Sequence, residues 1–296
     1  GGLLGPDASL LRKASSSLQY FRKAGSPEEV AGELEAIRGD IAAAVSSTQP
    51  ARCTDPFRYP RPLVIGCGLV FLQQVTGQPS VLYFATNIFK GAGFGGAASL
   101  SSLGVGGVKL LATLFTVWRV DRYGRRLLLF IGITMMAVAL VALGVAFIFQ
   151  ECQVPGKTVR ECSSDDTRLP RSWAYVTVGA LMLYVSGYQV GFGPISWLII
   201  SEVFPVSVRG AALSLAAVVN FGSNIAMTLT KEVLQDAMTP AGVFFAYFAL
   251  SIVSLVFTKV LVPETRGKTL EEIEVMLAGR ESSARAPTVG DSATRA

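Results

Sequence analysis

Apolar residues fall into six long stretches that are separated by short polar links. The stretches run over Leu63–Phe89, Leu100–Val120, Leu127–Phe149, Trp173–Phe204, Ala211–Leu234 and Val243–Val262. A helix that crosses a bilayer needs about 20 mostly apolar residues, and a helix in a soluble core is rarely so long without a charge. The pattern therefore predicts an all-α membrane protein with a six-span bundle over residues 62–262. One large soluble helical protein is the alternative.

Polar segments flank the six stretches. Residues 1–61 are interpreted as a cytoplasmic linker, in which Ser26 caps an amphipathic helix that continues through Val30, Leu34, Ile37 and Ile41. Residues 263–296 are predicted to form a cytoplasmic tail that is disordered from about residue 279. The chain opens abruptly at Gly1 without a visible signal peptide, so we expect it to be cut from a larger protein.

Positive charges indicate the orientation of the predicted spans. They occupy two links and the segment after the last stretch, as Arg119, Arg122, Arg125, Arg126, Arg209, Arg266 and Lys268. The positive-inside rule makes that side cytoplasmic. The loop that carries Cys152 and Cys162 would then face the lumen or the exterior. A disulfide between them is compatible with that side but is left open.

Composition narrows the chemistry that is available. The 296 residues are 51% hydrophobic and 16% charged, with a net charge of +5 and no histidine. Soluble proteins carry about a quarter charged residues, so a lipid bilayer is the expected surrounding. The basic residues form no stripe interleaved with aromatics, which excludes nucleic acid as a partner. The lack of histidine excludes catalytic triads, metal sites and proton relays that are built on histidine. No metal or cofactor is expected.

Amide side chains occur within three of the predicted spans. Gln73 and Gln74 lie in the first, just before Pro79, which removes a backbone donor and frees carbonyls nearby. Asn220 and Asn224 lie in the fifth at a spacing of four, so they share one helix face. Lipid cannot satisfy amides, whereas the hydroxyl groups of a neutral sugar match both their donors and their acceptors. Hydrogen bonding between helices is the alternative.

The fourth stretch has a similar interruption. Gly187, Gly191, Gly193 and Pro194 allow it to bend, and Gln189 and Trp197 alongside them are interpreted as substrate-binding residues. The ring of Trp197 could stack on the apolar face of a sugar, and an ordinary kinked helix with a buried tryptophan is the alternative. Lys109 stands alone within the second stretch. It is interpreted as a substrate-facing or proton-linked group, with snorkelling or pairing to a carboxylate elsewhere as alternatives.

A charge cluster is predicted at the cytoplasmic ends of the spans. Pairs between its arginines and carboxylates could form in one conformation and separate in another, which would make the cluster a gate. Charges that only set the topology are the alternative, and the two interpretations are compatible. The cluster comprises Asp121, Arg122, Arg125, Arg126, Glu202 and Arg209.

Five motifs together resemble the sugar porter family of the major facilitator superfamily. They begin at Gln73-Gln74, Asp121-Arg122, Gly191, Ser201-Glu202 and Pro263-Glu264, and the resemblance covers residues 61–273. The run from Gln78 to Tyr83, with Lys109 and the segment Asn220–Asn224, is most similar to the vacuolar-type glucose transporters of plants and algae. The vacuolar membrane is therefore favoured, with plastid and plasma membranes left open.

The resemblance implies a twelve-span fold of which this chain is the carboxy-terminal six-helix bundle. A sugar would bind between this bundle and a missing amino-terminal one, and alternating access would carry it across. Gln73, Gln74, Trp197, Asn220 and Asn224 match the sugar-contacting positions of the family, and the charge cluster matches its intracellular gate. Pro79, Lys109, Gln189 and Phe221 stand where the family often has other residues.

The resemblance makes transport of a hexose, glucose above all, the expected function, without covalent chemistry. Coupling to protons is favoured, although uniport is left open. One rival is a sugar sensor that binds without transporting. A membrane enzyme is the other, and it would need a nucleophile or paired carboxylates at one depth, which the spans do not offer.

Overall fold

The computed structural model describes residues 8–22, 30–35, 37–39, 54–89, 98–152, 167–269, 272–273 and 275–277. The chain divides into two compact units, residues 1–52 and 53–296. The first contains helix α1 (Ala8–Arg22) and helical residues at 30–35 and 37–39. The predicted amphipathic helix is thus helical at Val30, Leu34 and Ile37, whereas Ser26, Ile41 and the tail after 277 lie outside the described residues.

The second unit is built almost entirely of helices. A short 3-10 helix, Asp55–Arg58, precedes them. The α-helices are α2 (Pro60–Val75), α3 (Gln78–Phe89), α4 (Ala98–Tyr123), α5 (Arg125–Ile148), α6 (Arg171–Val190), α7 (Phe192–Val203), α8 (Val206–Ala237) and α9 (Pro240–Leu261).

Five helical segments of the described chain are long and apolar enough to cross a membrane, judged by length and composition. They are Leu103–Tyr123, Arg125–Ile148, Ser172–Val203, Val206–Thr230 and Pro240–Leu261. The first of the six predicted stretches instead forms two shorter helices, α2 and α3, of 16 and 12 residues. The fourth forms α6 and α7, which meet at Gly191. Two of the predicted spans are therefore broken helices.

The loop between α5 and α6 carries a two-stranded antiparallel ladder of β1 (Glu151–Cys152) and β2 (Thr167–Arg168). Glu151 pairs with Arg168, and Cys152 pairs with Thr167. Cys162 lies outside the described residues, so the structure does not test the disulfide with Cys152 that the sequence left open.

Helix α5 packs most extensively against α6 and α9. Its side chains Leu129, Ile133, Leu140 and Leu143 are fully buried. A methyl group on Gly132 would overlap the backbone of α6 at Gly187 and Gly191, so only glycine allows this close crossing. The crossing fixes the position of the break in the α6–α7 span.

Helices α4 and α8 contribute least to the core, since only 11% and 17% of their apolar windows are buried. Their exposed side chains are large and apolar: Leu110, Leu111, Leu114, Val117, Trp118, Val218, Phe221, Ile225, Leu229 and Val233. Apolar faces of this kind on two helices mark surfaces that lipid or another polypeptide covers.

Candidate functional site

The α2–α3 span is broken at Thr76 and Gly77. Gly77 has a φ of 98°, and an added methyl group there would overlap the ring of Tyr247. This conformation is open to glycine at little cost. From the sequence we expected Pro79 to break this helix. Pro79 instead lies in the first turn of α3, where a missing N–H costs nothing.

Backbone groups at the break are satisfied from neighbouring helices. The hydroxyl of Tyr184 on α6 donates to the carbonyl of Thr76 at 3.3 Å, and Thr76 in turn donates to the carbonyl of Gln73 at 3.3 Å. The hydroxyl of Tyr247 on α9 donates to Ser80 Oγ at 2.8 Å. Because buried polar groups need such partners, two tyrosines fix the geometry of the break.

Gln74, Asn220 and Asn224 form a hydrogen-bonded amide cluster between α2 and α8. Gln74 Nε2 donates to Asn220 Oδ1 at 2.6 Å, and Gln74 Oε1 accepts from Asn224 Nδ2 at 3.0 Å. The spacing of four residues places both asparagines on the same face of α8. Gln74 is 4% exposed, so the cluster lies inside the bundle, within one turn of the break.

Gln73 points to a different neighbour, because adjacent residues on a helix diverge by about 100°. Its Nε2 donates to the hydroxyl of Tyr188 on α6 at 2.6 Å. Gln73 is also buried, at 4% exposure, and its Oε1 has no hydrogen-bond partner among the described residues. The two glutamines thus join the break to α6 on one side and to α8 on the other.

The remaining predicted substrate residues have no hydrogen bond to these amides within the described chain. The side-chain amide of Gln189 lies over the backbone of Gly193, and the backbone carbonyl of Gln189 accepts from the hydroxyl of Thr116 on α4 at 3.2 Å. Trp197 is half-buried against the core. Lys109 is half-buried and lies seven residues before Thr116, which places it on the face of α4 that meets α6.

A charge network lies at the arginine-rich end of the bundle, where α4 ends and α5 begins. Arg125 donates from Nε to Glu202 Oε1 at 3.1 Å, and its Nη2 lies 3.0 Å from the same oxygen and 3.4 Å from Asp121 Oδ1. The hydroxyl of Thr265 donates to Glu202 Oε2 at 2.6 Å. The side chains of Arg125 and Glu202 are only 15% and 16% exposed, whereas that of Asp121 is 81% exposed.

Glu264 holds the first turn of α5. Its Oε1 accepts from the backbone N–H of Arg125 at 3.2 Å and from that of Arg266 at 3.1 Å. Gly124, with a φ of 89°, leaves the space that this carboxylate occupies. A carboxylate is favourable at a helix N-terminus because it faces unsatisfied N–H groups.

The other three members of the predicted gate lie outside this network. Arg126 donates to the carbonyl of Lys259 on α9, and Arg209 donates to that of Phe204 at 3.5 Å. Arg122 is exposed. The structure thus joins Asp121, Arg125 and Glu202 into one network.

Three residues at these sites were not assigned from the sequence. In the sequence, Tyr188 cannot be distinguished from an ordinary core aromatic residue, because nothing in an apolar stretch shows which way its hydroxyl points. Glu264 and Thr265 belong to the motif that begins at Pro263. A motif of charged and hydroxyl side chains directly after a span was the signal that could have added them to the gate.

Comparison with known proteins adds three similarities. Residues 10–277 match the family model described as Sugar (and other) transporter. The chain is 39% identical over 248 residues to the D-xylose-proton symporter-like 1 of Arabidopsis thaliana, covering 83% of this chain and 44% of that protein. It is 32% identical over 271 residues to the facilitated trehalose transporter Tret1 of Apis mellifera ligustica, covering 91% and 51%. The chain therefore spans about half the length of these relatives.

Solved structures share the fold. The proton:xylose symporter XylE of the major facilitator superfamily, bound to 6-bromo-6-deoxy-D-glucose, superposes with a TM-score of 0.65 and 26% identity. The match covers 90% of this chain and 52% of that one. An inward-open structure of XylE from E. coli gives a TM-score of 0.58 at 24% identity, over 90% and 50% of the two chains. These matches confirm the predicted fold class.

Proposed function

We propose that this chain, which belongs to the sugar transporter family of the major facilitator superfamily, is one half of a transporter that carries a hexose by alternating access. The observation that carries the proposal is the group of buried amides at the α2–α3 break. Broken helices near the middle of a membrane are where transporters of several folds bind their solutes. Here the break adjoins Gln73, Gln74, Asn220 and Asn224.

The chemistry of these groups favours a neutral, hydroxyl-rich solute. Each primary amide offers two N–H donors and an acceptor oxygen. A sugar hydroxyl can therefore take the place of one amide as the hydrogen-bond partner of another at little cost, whereas a charged solute would need an opposite charge in the site. We propose glucose as the substrate. The names of the relatives include xylose, trehalose and glucose transporters, so the sugar has to be measured.

A second six-helix bundle is the partner that we propose for the exposed faces of α4 and α8. Both faces are apolar over most of their length, as expected for surfaces buried against other helices. Lys109 lies on the opposite, α6-facing side of α4, so this proposal does not depend on it. The bilayer would cover the remaining apolar surface.

The charge network would act as part of the gate at the cytoplasmic side. Arg125 and Glu202 join the start of α5 to the end of α7, and Thr265 joins both to the segment after α9. The network therefore ties three elements of the bundle at one point. We propose proton symport, in a vacuolar-type membrane, as the mode of transport. Relatives named as proton symporters, one of them chloroplastic, support the coupling and leave the membrane open to test.

Uptake of labelled glucose into liposomes that contain the full-length protein tests the proposal. We expect accumulation against a glucose gradient when protons flow inward, and loss of accumulation with a protonophore. Uptake that only equilibrates would mean facilitated transport. Binding without uptake would favour a sensor, and neither binding nor uptake would exclude glucose as the ligand.

Substitution of the amide cluster tests the site. Gln74→Ala removes two hydrogen-bonding partners and Asn220→Ala removes one. We expect each to weaken sugar binding about tenfold, because one lost hydrogen bond costs about 1.4 kcal/mol. Gln150→Ala, which removes an amide at the far end of α5, is the matched control. Normal transport by both variants would show that the site is assigned to the wrong residues.

A further inference from the structure

Tyr188 and Gln73 form a pair whose hydrogen-bonding capacity is only partly used. Gln73 Nε2 donates to the hydroxyl oxygen of Tyr188 at 2.6 Å. Tyr188 therefore acts as the acceptor in this bond, and its own proton is directed to no acceptor among the described residues. Gln73 Oε1 is buried and has no donor within the same part of the chain. The pair thus presents one free donor and one free acceptor.

This imbalance does not depend on how the amide of Gln73 is oriented. Rotating the amide by 180° would let Tyr188 donate to the oxygen, but it would then leave the buried Nε2 without a partner. Either orientation leaves one polar end unsatisfied in a position where Gln73 is 4% exposed. An unsatisfied buried polar group costs about 1–3 kcal/mol, so the site favours any solute that supplies the missing bond.

The amide cluster on the other side of the break differs in this respect. The oxygen and the nitrogen of the Gln74 amide each already have a partner, Asn224 and Asn220 respectively. The cluster ties α2 to α8, and a solute there would add a second hydrogen bond to atoms that already have one. At the Gln73 end of the site, by contrast, a solute supplies the first hydrogen bond to a buried oxygen that has none among the described residues.

We propose that Tyr188 and Gln73 together read a single hydroxyl group of the sugar, which makes Tyr188 a specificity-determining residue; this inference rests on the proposed sugar-transport function. The sugar hydroxyl donates to Gln73 Oε1 and accepts from the hydroxyl of Tyr188. One hydroxyl satisfies both groups, because it is at once a donor and an acceptor. A site that is built in this way rejects an analogue that lacks the hydroxyl.

Monodeoxyglucoses and the Tyr188→Phe variant provide the test. The variant keeps the ring and removes only the hydroxyl. Dissociation constants are measured by calorimetry for glucose and for each monodeoxyglucose, with the full-length wild-type protein and with the variant. We expect one monodeoxyglucose to bind the wild type about a hundredfold more weakly than glucose does, because its missing hydroxyl loses two hydrogen bonds of about 1.4 kcal/mol each. In Tyr188→Phe, glucose itself should weaken about tenfold through the loss of one of these bonds, and the penalty for that one analogue should shrink about tenfold.

If Tyr188→Phe weakened the binding of glucose and of every monodeoxyglucose by the same factor, the proposal would be overturned. A merely structural role weakens every sugar alike and leaves the ratios of the dissociation constants unchanged. Unchanged glucose binding in Tyr188→Phe would overturn it as well. Tyr175→Phe on the same helix is the matched control, since the side chain of Tyr175 is exposed. Failure of the wild type to bind any sugar would count against sugar transport itself, which keeps the two failures distinct.

Discussion

The pair of Arg125 and Glu202 is the contact at which a small substitution should have the largest effect. Replacing Glu202 by glutamine removes its charge, and replacing Arg125 by glutamine removes the matching one. The double variant removes both. Comparing the two single variants with the double one isolates the interaction between the two side chains from their separate contributions.

The magnitude follows from the exposure of the two side chains. Fully exposed pairs contribute about 0.2–1 kcal/mol, whereas breaking a buried pair costs about 3–5 kcal/mol. At 15% and 16% exposure, and with one hydrogen bond from Nε and an ion-pair distance of 3.0 Å from Nη2 to the same carboxylate oxygen, the pair lies between these limits. We expect an interaction of about 2 kcal/mol. This corresponds to a change of about 30-fold in the population of any conformation that requires the pair.

Thermal unfolding of the purified full-length protein in detergent provides the assay. For chains of 150–250 residues, 1 kcal/mol shifts the Tm by about 2–4 °C, and longer chains shift less. Two kilocalories therefore predict that the summed Tm shifts of the two single variants exceed the shift of the double variant by up to about 4–8 °C. Strictly additive shifts would refute the reasoning, because they would show that the two charges contribute independently. The same variants in the uptake assay would show whether the pair also biases the transport cycle.

Two further predictions concern the packing and the start of α5. Gly132→Ala should lower the Tm by several degrees, because overpacking costs about 1–3 kcal/mol and the added methyl group meets the backbone of α6; Gly179→Ala, where a methyl group meets nothing within 4 Å, should leave the Tm nearly unchanged. Glu264→Ala should lower it by about 2–4 °C through the loss of about 1 kcal/mol at the helix N-terminus. Glu151→Ala is its control, and equal Tm values for these two variants would contradict the assignment.

The positions of the helices were predictable from the sequence because they follow from the length of each apolar stretch alone. The six apolar stretches correspond to the observed helices, and the glycines around Gly191 marked the second break correctly. The first break was attributed to Pro79 and lies at Thr76 and Gly77, because a glycine at positive φ ends a helix whereas a proline fits its first turn.

The partners within the site were not predictable. Gln73 and Gln74 are adjacent, yet they bind different helices, and the neighbour of each depends on how α2 is rotated in the bundle. Asn220 and Asn224 were placed on one face correctly by their spacing. Their contact with Gln74 joins residues 146 and 150 positions apart, a relation that no local pattern in one sequence contains.

The two short helices α2 and α3 also bear on how the protein is made. With 16 and 12 residues, neither is long enough to cross a bilayer alone, so the insertion machinery must receive them as one continuous segment. The groups that fix the break, Tyr184 and Tyr247, lie on helices that are synthesised more than 100 residues later. Nascent chains that end before α6 should therefore carry a break that Gly77 and Pro79 introduce but that no tyrosine yet holds in place, so glycosylation-distance mapping should give a different distance for them than for the complete chain. The proposed sugar site would then be among the last parts of the molecule to mature.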